Sequence, residues 1–264
     1  MIDIIKNVAK VFLNRNPSGQ NISIFSEDTF IVSYPRSGNT WARFLIGNLM
    51  NKEPVTFANI EKKVPDIHRN NDKELLCIPS PRILKSHECF DHRYKNVIYI
   101  VRDPRDVVIS YYHFQIKTKA ILESYPIDQF VSQFIDGELD SFGSWGENVG
   151  SWLGAKQYCN RFLMIRYEDM LENPVFELQK ITSFLGINRS EEQLMRANEL
   201  SSFKNMRKSE IRDSDRWKPL SKSRKDKFFV RSANKGAWKT ELSDSSAKRI
   251  EMAWHNTMSL LRYY

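Results

Sequence analysis

One short stretch of the sequence combines residue types that suit the binding of an anion. It reads Tyr34-Pro35-Arg36-Ser37-Gly38-Asn39-Thr40-Trp41. Arg36 supplies a permanent cation, and the polar residues after it supply hydroxyl and amide donors. An apolar run at 30–32 precedes the stretch and a helix-period pattern follows it, which predicts a turn between a strand and a helix. Such a turn aims backbone N–H groups and a helix dipole at an anion, although an ordinary polar connection fits the stretch alone equally well.

The rest of the chain predicts the elements that would position this turn. A short candidate strand at 82–84 and apolar runs at 97–101 and 162–165 indicate further strands, and helical patterns alternate with them. We therefore expect a single α/β domain over 1–264, with a central parallel sheet flanked by helices. His87, Arg102 and Tyr167 each follow a predicted strand. Because parallel sheets bind ligands at the carboxyl ends of their strands, these residues should converge with the turn, which favours the anion-binding interpretation.

Several other chemistries do not fit these residues. The turn lacks the Lys-Ser or Lys-Thr pair of a nucleotide-hydrolysing P-loop, and Gly38 alone does not make a dinucleotide-binding fingerprint. His87 and His92 are five residues apart, whereas a helical zinc pair needs four, so no metal site is expected. The G-x-S-x-G motif of a serine hydrolase is also absent. A neutral imidazole can accept a hydroxyl proton near pH 7, so His87 is a candidate general base.

The composition limits the partners without identifying one. The 264 residues carry a formal net charge of +8, which favours an anionic partner: nucleotide phosphates, nucleic acid or a lipid surface. Three cysteines without a C-x-x-C pair indicate a reducing compartment. No apolar stretch reaches the length of a membrane span. Residues 1–16 are predicted to form an amphipathic helix, and we expect it to pack on the domain rather than on a membrane.

Residues 207–227 interrupt the alternation of strands and helices. Nine of these twenty-one residues are Lys or Arg, four are acidic, and no amphipathic period is evident. A solvated loop and a mobile lid or acceptor-binding loop both remain open. A nucleic-acid-binding module is disfavoured, because aromatic residues are not interleaved with these cations.

Five segments together resemble the cytosolic sulfotransferases. The turn at 34–41 is similar to the family's 5′-phosphosulfate loop, and residues 102–114 (RDPRDVVISYYHF) resemble its 3′-phosphate motif. Lys85-Ser86-His87 matches the segment that carries the catalytic histidine. Residues 167–170 and 231–239 match later motifs. The resemblance extends from about residue 30 to residue 240, in the right order and spacing.

This resemblance implies transfer of a sulfuryl group from 3′-phosphoadenosine 5′-phosphosulfate (PAPS) to a hydroxyl or amine of a small-molecule acceptor. Adenosine 3′,5′-bisphosphate (PAP) would be the product, and no metal, nucleic acid or stable membrane insertion is expected. It implies a cytoplasmic enzyme that is a monomer or homodimer. His87 would take the acceptor proton during in-line attack, Arg36 would stabilise the leaving group, and Lys85 belongs to the same catalytic set. The nucleotide-binding positions implied are Arg36, Ser37, Gly38, Asn39, Thr40, Trp41, Arg102, Ser110, Tyr167, Ser201, Phe203, Arg231, Ser232 and Ala233.

The chain departs from the family pattern at several points. Arg36 replaces the usual lysine, and because arginine keeps its proton, it should stabilise charge without donating a proton to the leaving group. Arg231-Ser232-Ala233 replaces an Arg-Lys-Gly triplet and so lacks one cation. The family's dimerisation pattern is not recognisable after residue 238, which leaves the oligomeric state open.

The acceptor is not identified by the sequence. Residues 51–81, 115–150 and 207–227 are expected to form its pocket, and Phe57, Phe142 and Trp145 could line that pocket or belong to the core. A magnesium-dependent phosphoryl transferase that uses the same turn is the enzymatic alternative.

Overall fold

A four-stranded parallel sheet forms the centre of the chain. The computed structural model describes residues 21–232 and 234–264. The strands are β1 (Thr29–Ser33), β2 (Ile83–Ser86), β3 (Asn96–Val101) and β4 (Arg161–Arg166), in the order β2-β1-β3-β4. In the register, Val32 of β1 lies beside Ser86 of β2 and Tyr99 of β3. The predicted α/β class with a central parallel sheet is confirmed.

Helices cover both faces of this sheet. The described helices are α1 (Asn39–Met50), α2 (Ile60–Lys63), α3 (Asp72–Leu76), α4 (Pro104–Lys117), α5 (Ile127–Asp136), α6 (Trp145–Ala155), α7 (Tyr167–Glu172), α8 (Pro174–Leu185), α9 (Glu191–Leu200), α10 (Phe203–Asp213), α11 (Lys218–Ser221), α12 (Trp238–Glu241) and α13 (Asp244–Leu260). Short 3₁₀ turns follow α6 and α10. None of the helices in the described part of the chain is long and apolar enough to cross a membrane.

Local sequence signals explain where the main helices begin. The Asp103 side chain accepts a hydrogen bond from the N–H of Arg105, and Pro104 occupies the first turn of α4. Ser190 and Gln193 form a capping box at α9. These caps set where α4 begins after β3 and where α9 begins after α8.

The core divides between the two faces of the sheet. Phe30 and Val32 of β1 face one apolar cluster, which also contains Trp145. Ile31 of β1 faces the other cluster, formed with α1, α8 and α9. This alternation follows from the period of two along a strand, and burial of both faces explains the continuous apolar run at 97–101. Phe57 and Trp145 are core residues, at 1% and 0% exposure, rather than pocket residues.

The segment at 207–227 is more regular than the sequence indicates. Helix α10 covers its first third, followed by a 3₁₀ turn and by α11. The buried face of α10 includes Ser209, Glu210 and Asp213, which are polar. Their hydrogen bonds replace apolar packing, so no hydrophobic period marks the helix. The mobility of the segment stays a prediction, and the predicted helix at 1–16 lies outside the described residues.

A buried ion pair connects the starts of the first two strands. The side chains of Arg82 and Asp28 are both fully buried. Arg82 Nε donates to Asp28 Oδ1 at 2.9 Å, and its terminal nitrogens donate to the carbonyl oxygens of Leu75 and Ser23. Asp28 directly precedes β1, and Arg82 directly precedes β2.

We expect replacement of this arginine to destabilise the fold strongly. Arg82→Met leaves the Asp28 carboxylate buried without its cation, which should lower the free energy of unfolding by about 3–5 kcal/mol. Urea unfolding measures the change. The matched control is Arg216→Met at an exposed arginine, which should stay within about 0.5 kcal/mol of the wild type. Equal stability of the two variants would contradict the role assigned to the pair.

Candidate functional site

A cavity of about 510 Å³ lies at the carboxyl edge of the sheet. Each of the four strands leads into it: Arg36 follows β1, His87 follows β2, Arg102 follows β3, and Tyr167 follows β4. The convergence predicted from the parallel topology is confirmed.

Nearly all residues proposed from the sequence line this cavity. They are Arg36, Gly38, Asn39, Thr40, Trp41, Lys85, His87, Arg102, Ser110, Tyr167, Ser201, Phe203, Arg231 and Ser232. Ser37 is not in the lining; it is buried in the turn, and its Oγ has no hydrogen-bond partner among the described residues. Ala233 lies outside the described residues. Of the aromatic candidates for the acceptor pocket, Phe142 lines the cavity.

The turn after β1 has a backbone that requires a glycine. Arg36 and Gly38 adopt left-handed conformations, with φ of 67° and 99°. A Cβ at Gly38 would lie 2.5 Å from Cδ2 of the Tyr167 ring, so the backbone approaches α7 as closely as glycine permits. Turns of alternating handedness direct successive N–H groups toward an anion. Gly38 also precedes the first turn of α1, where the helix dipole adds positive potential.

Arg36 is held by aromatic rings and a hydroxyl. Its guanidinium lies 4.6 Å from the ring centre of Phe114 and 4.4 Å from that of Phe229. Its Nε donates to Ser110 Oγ at 3.3 Å. Burial, and then the charge of Arg102, lowers the pKa of Arg36 to about 10. The side chain therefore stays cationic at neutral pH.

Arg102 carries a second positive charge close to the first. Its guanidinium stacks on Tyr167 at 4.3 Å and donates to the backbone oxygens of Arg36 and Asn234, at 3.4 and 3.1 Å. Its Nε is buried without a hydrogen-bond partner among the described residues. Within 21–232 and 234–264, neither Arg36 nor Arg102 forms an ion pair. A buried and a partly buried cation without a carboxylate are unfavourable together, so this part of the cavity favours an anionic ligand.

Aromatic residues line the region beside these arginines. Trp41 Nε1 donates to the carbonyl oxygen of Ser201 at 3.1 Å, and its ring meets Tyr167 edge-on at 5.7 Å. Phe203 is 39% exposed, so it is available for stacking with a planar ligand. Asn48, the polar residue in the apolar pattern of α1, donates to Ser201 Oγ at 3.0 Å and so holds the end of α9.

Residues 224–231, here called the roof segment, close the cavity beside Arg36. The Lys117 ammonium donates to the carbonyl oxygens of Arg224 and Lys227. The Glu210 carboxylate accepts from the N–H groups of Phe229 and Val230, at 2.6 and 2.9 Å. Lys117 and Glu210 are themselves 3.3 Å apart and buried. This pair was not predicted, because its members come from separate helices.

Arg231 has an acidic partner in the structure. Its Nη1 lies 2.8 Å from Oε1 of Glu241, and the other oxygen of that carboxylate lies 2.7 Å from His113 Nε2. Arg231 lines the cavity, but a carboxylate offsets its charge, unlike those of Arg36 and Arg102.

His87 is held in a defined tautomer at the other side of the cavity. Its Nδ1 lies 2.7 Å from the carbonyl oxygen of Ser33, which can only accept, so Nδ1 carries the proton and Nε2 carries the lone pair. Burial, and then the charge of Lys85, holds the pKa of His87 well below its ordinary value. The imidazole is therefore neutral at neutral pH and can accept a proton.

Two residues that the sequence analysis missed support this histidine. The Lys85 ammonium donates to the Asp66 carboxylate at 2.9 Å, and burial lowers the pKa of Lys85 to about 8. His68 Nε2 accepts from the N–H of His87 at 3.0 Å. Burial and the charge of Lys85 lower the pKa of His68 to about 3, so it too is neutral. Asp66 and His68 lie in an irregular part of the sequence, where no period or motif marks them.

The fold and the cavity define an α/β protein with two arginines that form no ion pair with a described residue, in one cavity with a neutral histidine. The chain belongs to the family defined by the sulfotransferase domain, whose family model matches residues 26–262. The resemblance drawn from the motifs is therefore confirmed, and the chain belongs to a family of enzymes.

Individual relatives support the same assignment. Sulfotransferase 1A1 of Rattus norvegicus is 30% identical over 257 residues, covering 91% of this chain and 87% of that protein. Sulfotransferase 1 family member D1 of Mus musculus is 32% identical over 245 residues, covering 85% and 81%. Among solved structures, mouse sulfotransferase SULT7A1 complexed with PAP superposes with a TM-score of 0.74 at 25% identity, covering 91% and 87%.

We expect Gly38→Ala to weaken ligand binding at the turn and to lower the free energy of unfolding. The added methyl group meets the Tyr167 ring and must adopt a left-handed backbone conformation. The variant should lose about 1–3 kcal/mol of stability and bind PAP at least about tenfold more weakly. Urea unfolding measures the change in stability, and calorimetry measures the change in PAP affinity. Gly150→Ala, where nothing lies within 4 Å of the new Cβ, is the control and should lose neither property. Wild-type PAP affinity in Gly38→Ala would refute the requirement for glycine.

Proposed function

We propose that this enzyme transfers the sulfuryl group of PAPS to a hydroxyl or amine of a small-molecule acceptor. The observation that carries the proposal is the pair Arg36 and Arg102, which share one cavity with neutral His87 and form no ion pair with any described residue. A ligand with two separated anionic groups would neutralise both cations. The PAP bound to the mouse relative is such a ligand.

The residues present fit this donor. The unpartnered Arg102 Nε is a buried polar atom of a cavity-lining residue that an anionic ligand could satisfy. The turn at 36–41 would hold the 5′ end, and Arg102, Ser110 and Arg231, with Ser232 and Ala233 beside them, would hold the 3′-phosphate. Trp41 and Phe203 would stack on the adenine, whose edge would bond to Tyr167 and Ser201. When bound, the donor supplies an electrophilic sulfur for the transfer.

His87 and Arg36 have different roles in the proposed transfer. His87 Nε2 accepts the proton of the acceptor as its nucleophile attacks, and the Ser33 carbonyl oxygen keeps the ring in the required tautomer. Arg36 stabilises the negative charge that develops on the leaving oxygen. It remains protonated, because its pKa of about 10 lies well above neutral pH. Lys85 adds a cation to the same wall and holds His87 neutral.

The remaining features of the proposal concern conditions and partners. They are a cytoplasmic enzyme, a monomeric or homodimeric state, and no requirement for a metal or for nucleic acid. Activity that disappears in the presence of a chelator and returns with magnesium would instead support the phosphoryl transferase alternative.

We expect His87→Ala to separate binding from turnover. Without the imidazole no group accepts the acceptor proton, so kcat should fall by about a hundredfold or more. PAP affinity should change by less than about twofold, because the arginines at the other end remain. Assays of PAPS-dependent transfer and calorimetry with PAP test this. His255→Ala, at an exposed histidine on α13, is the control. Wild-type turnover in His87→Ala would exclude His87 as the base.

The pH profile should report the neutral state of His87. Its pKa is lowered, so it remains a competent base as the pH falls below 6.5, and kcat/KM should decline only at lower pH. Lys85→Met removes a cation and exposes His87 to the unpaired Asp66 carboxylate, and both changes raise the pKa of His87. The acid limb should therefore move upward by about one pH unit. An unchanged acid limb in Lys85→Met would contradict this electrostatic role.

A further inference from the structure

We infer that the acceptor is a hydroxyl-bearing aromatic carboxylate, and that Arg69 binds its carboxylate at the rim of the cavity. This inference rests on the proposed function and specifies the acceptor for the same site.

The side of the cavity that contains His87, here called the acceptor side, has an excess of positive charge. Its charged lining consists of Arg43, Arg69 and Lys85 with a single carboxylate, Asp66. Arg43 is paired with Glu61, which lies outside the lining, at 2.9 Å. Lys85 is paired with Asp66. Arg69 therefore has the least compensated charge of the three cations, because it shares its carboxylate with Lys85.

Arg69 has donors available for a ligand. Its Nε donates a hydrogen bond to Asp66 Oδ2 at 3.1 Å. Its terminal nitrogens make no hydrogen bond to any residue within 21–232 and 234–264. The side chain is 38% exposed although it lines the cavity, which places it at the rim.

The Asp66 carboxylate is shared with Lys85 and cannot fully neutralise this arginine. Its carboxylate accepts from the Lys85 ammonium at 2.9 Å and from the N–H of His68 at 3.0 Å, in addition to Arg69. One carboxylate thus serves two cations, and only Lys85 is fully buried with it. A second carboxylate at the rim would complete the pairing of Arg69, in a charge-assisted hydrogen bond.

The part of the cavity beside His68 and His87 suits a planar apolar body. The ring of Phe142 meets the rings of His68 and His87 edge-on, with centroids 4.9 and 5.4 Å away. Trp217 and Met206 add apolar surface to the cavity. An aromatic acceptor can therefore pack on Phe142 with its hydroxyl toward His87 and its acidic group toward Arg69.

The experiment measures binding to the PAP-loaded enzyme, so that it does not depend on turnover. The probes are 4-hydroxybenzoate, 4-hydroxyphenylacetate and 3-(4-hydroxyphenyl)propanoate, each compared with its methyl ester by calorimetry. We expect at least one acid to bind about tenfold more tightly than its ester. Arg69→Met should bring this ratio close to one, and Arg69→Lys should retain part of it. A merely structural role of Arg69 would weaken acid and ester equally and leave their ratio unchanged.

Arg93→Met is the matched control, because Arg93 likewise bonds a nearby aspartate, Asp91, but lies outside the cavity lining. It should keep the wild-type ratio of acid to ester affinity. If PAP binds but every acid and ester bind alike, or none binds, the inference is overturned while the donor site stands. If PAP itself does not bind, the proposed function fails instead.

Discussion

The site depends on two arginines whose positive charges no described carboxylate neutralises by direct pairing. Arg36 and Arg102 lie at the ends of neighbouring strands, and aromatic rings and neutral oxygens hold both in place. Stacking on a ring stabilises a guanidinium without removing its charge. The protein thus keeps two positive charges close together in the cavity, and an anionic ligand could interact with both. The left-handed turn and its glycine serve this arrangement by bringing Arg36 to the edge of the sheet.

Positive charge has a different effect at the other end of the cavity. There Lys85 is paired with Asp66, and its remaining potential helps to hold His68 and His87 neutral. An imidazole must be neutral before it can accept a proton, so this cation keeps His87 in the form that the proposed general base requires. A positive charge thus has different effects at the two ends because its partners differ: aromatic rings and neutral oxygens surround Arg36 and Arg102, whereas a carboxylate lies beside Lys85.

The sequence predicts the parts of this site that depend on local signals. The turn at 34–41, the strand before Arg102 and the capped start of α4 follow from periodicity, proline position and capping residues. The sequence did not indicate α10, because its buried face is polar. Asp66 and His68 were missed for another reason: their contacts with Lys85 and His87 form only when an irregular segment packs along β2. Long-range pairing of that kind leaves no mark on the order of neighbouring residues.

The way in which the roof segment is held has a consequence for how such an enzyme can diversify. Lys117 and Glu210 hold residues 224–230 through backbone groups: every residue provides a carbonyl oxygen, and every residue except proline provides an N–H group. The anchoring of the roof segment therefore does not depend on which side chains it carries. Substitutions in this segment can therefore change the shape of the cavity while the backbone stays anchored. Acceptor selectivity can change in this way without a loss of fold stability.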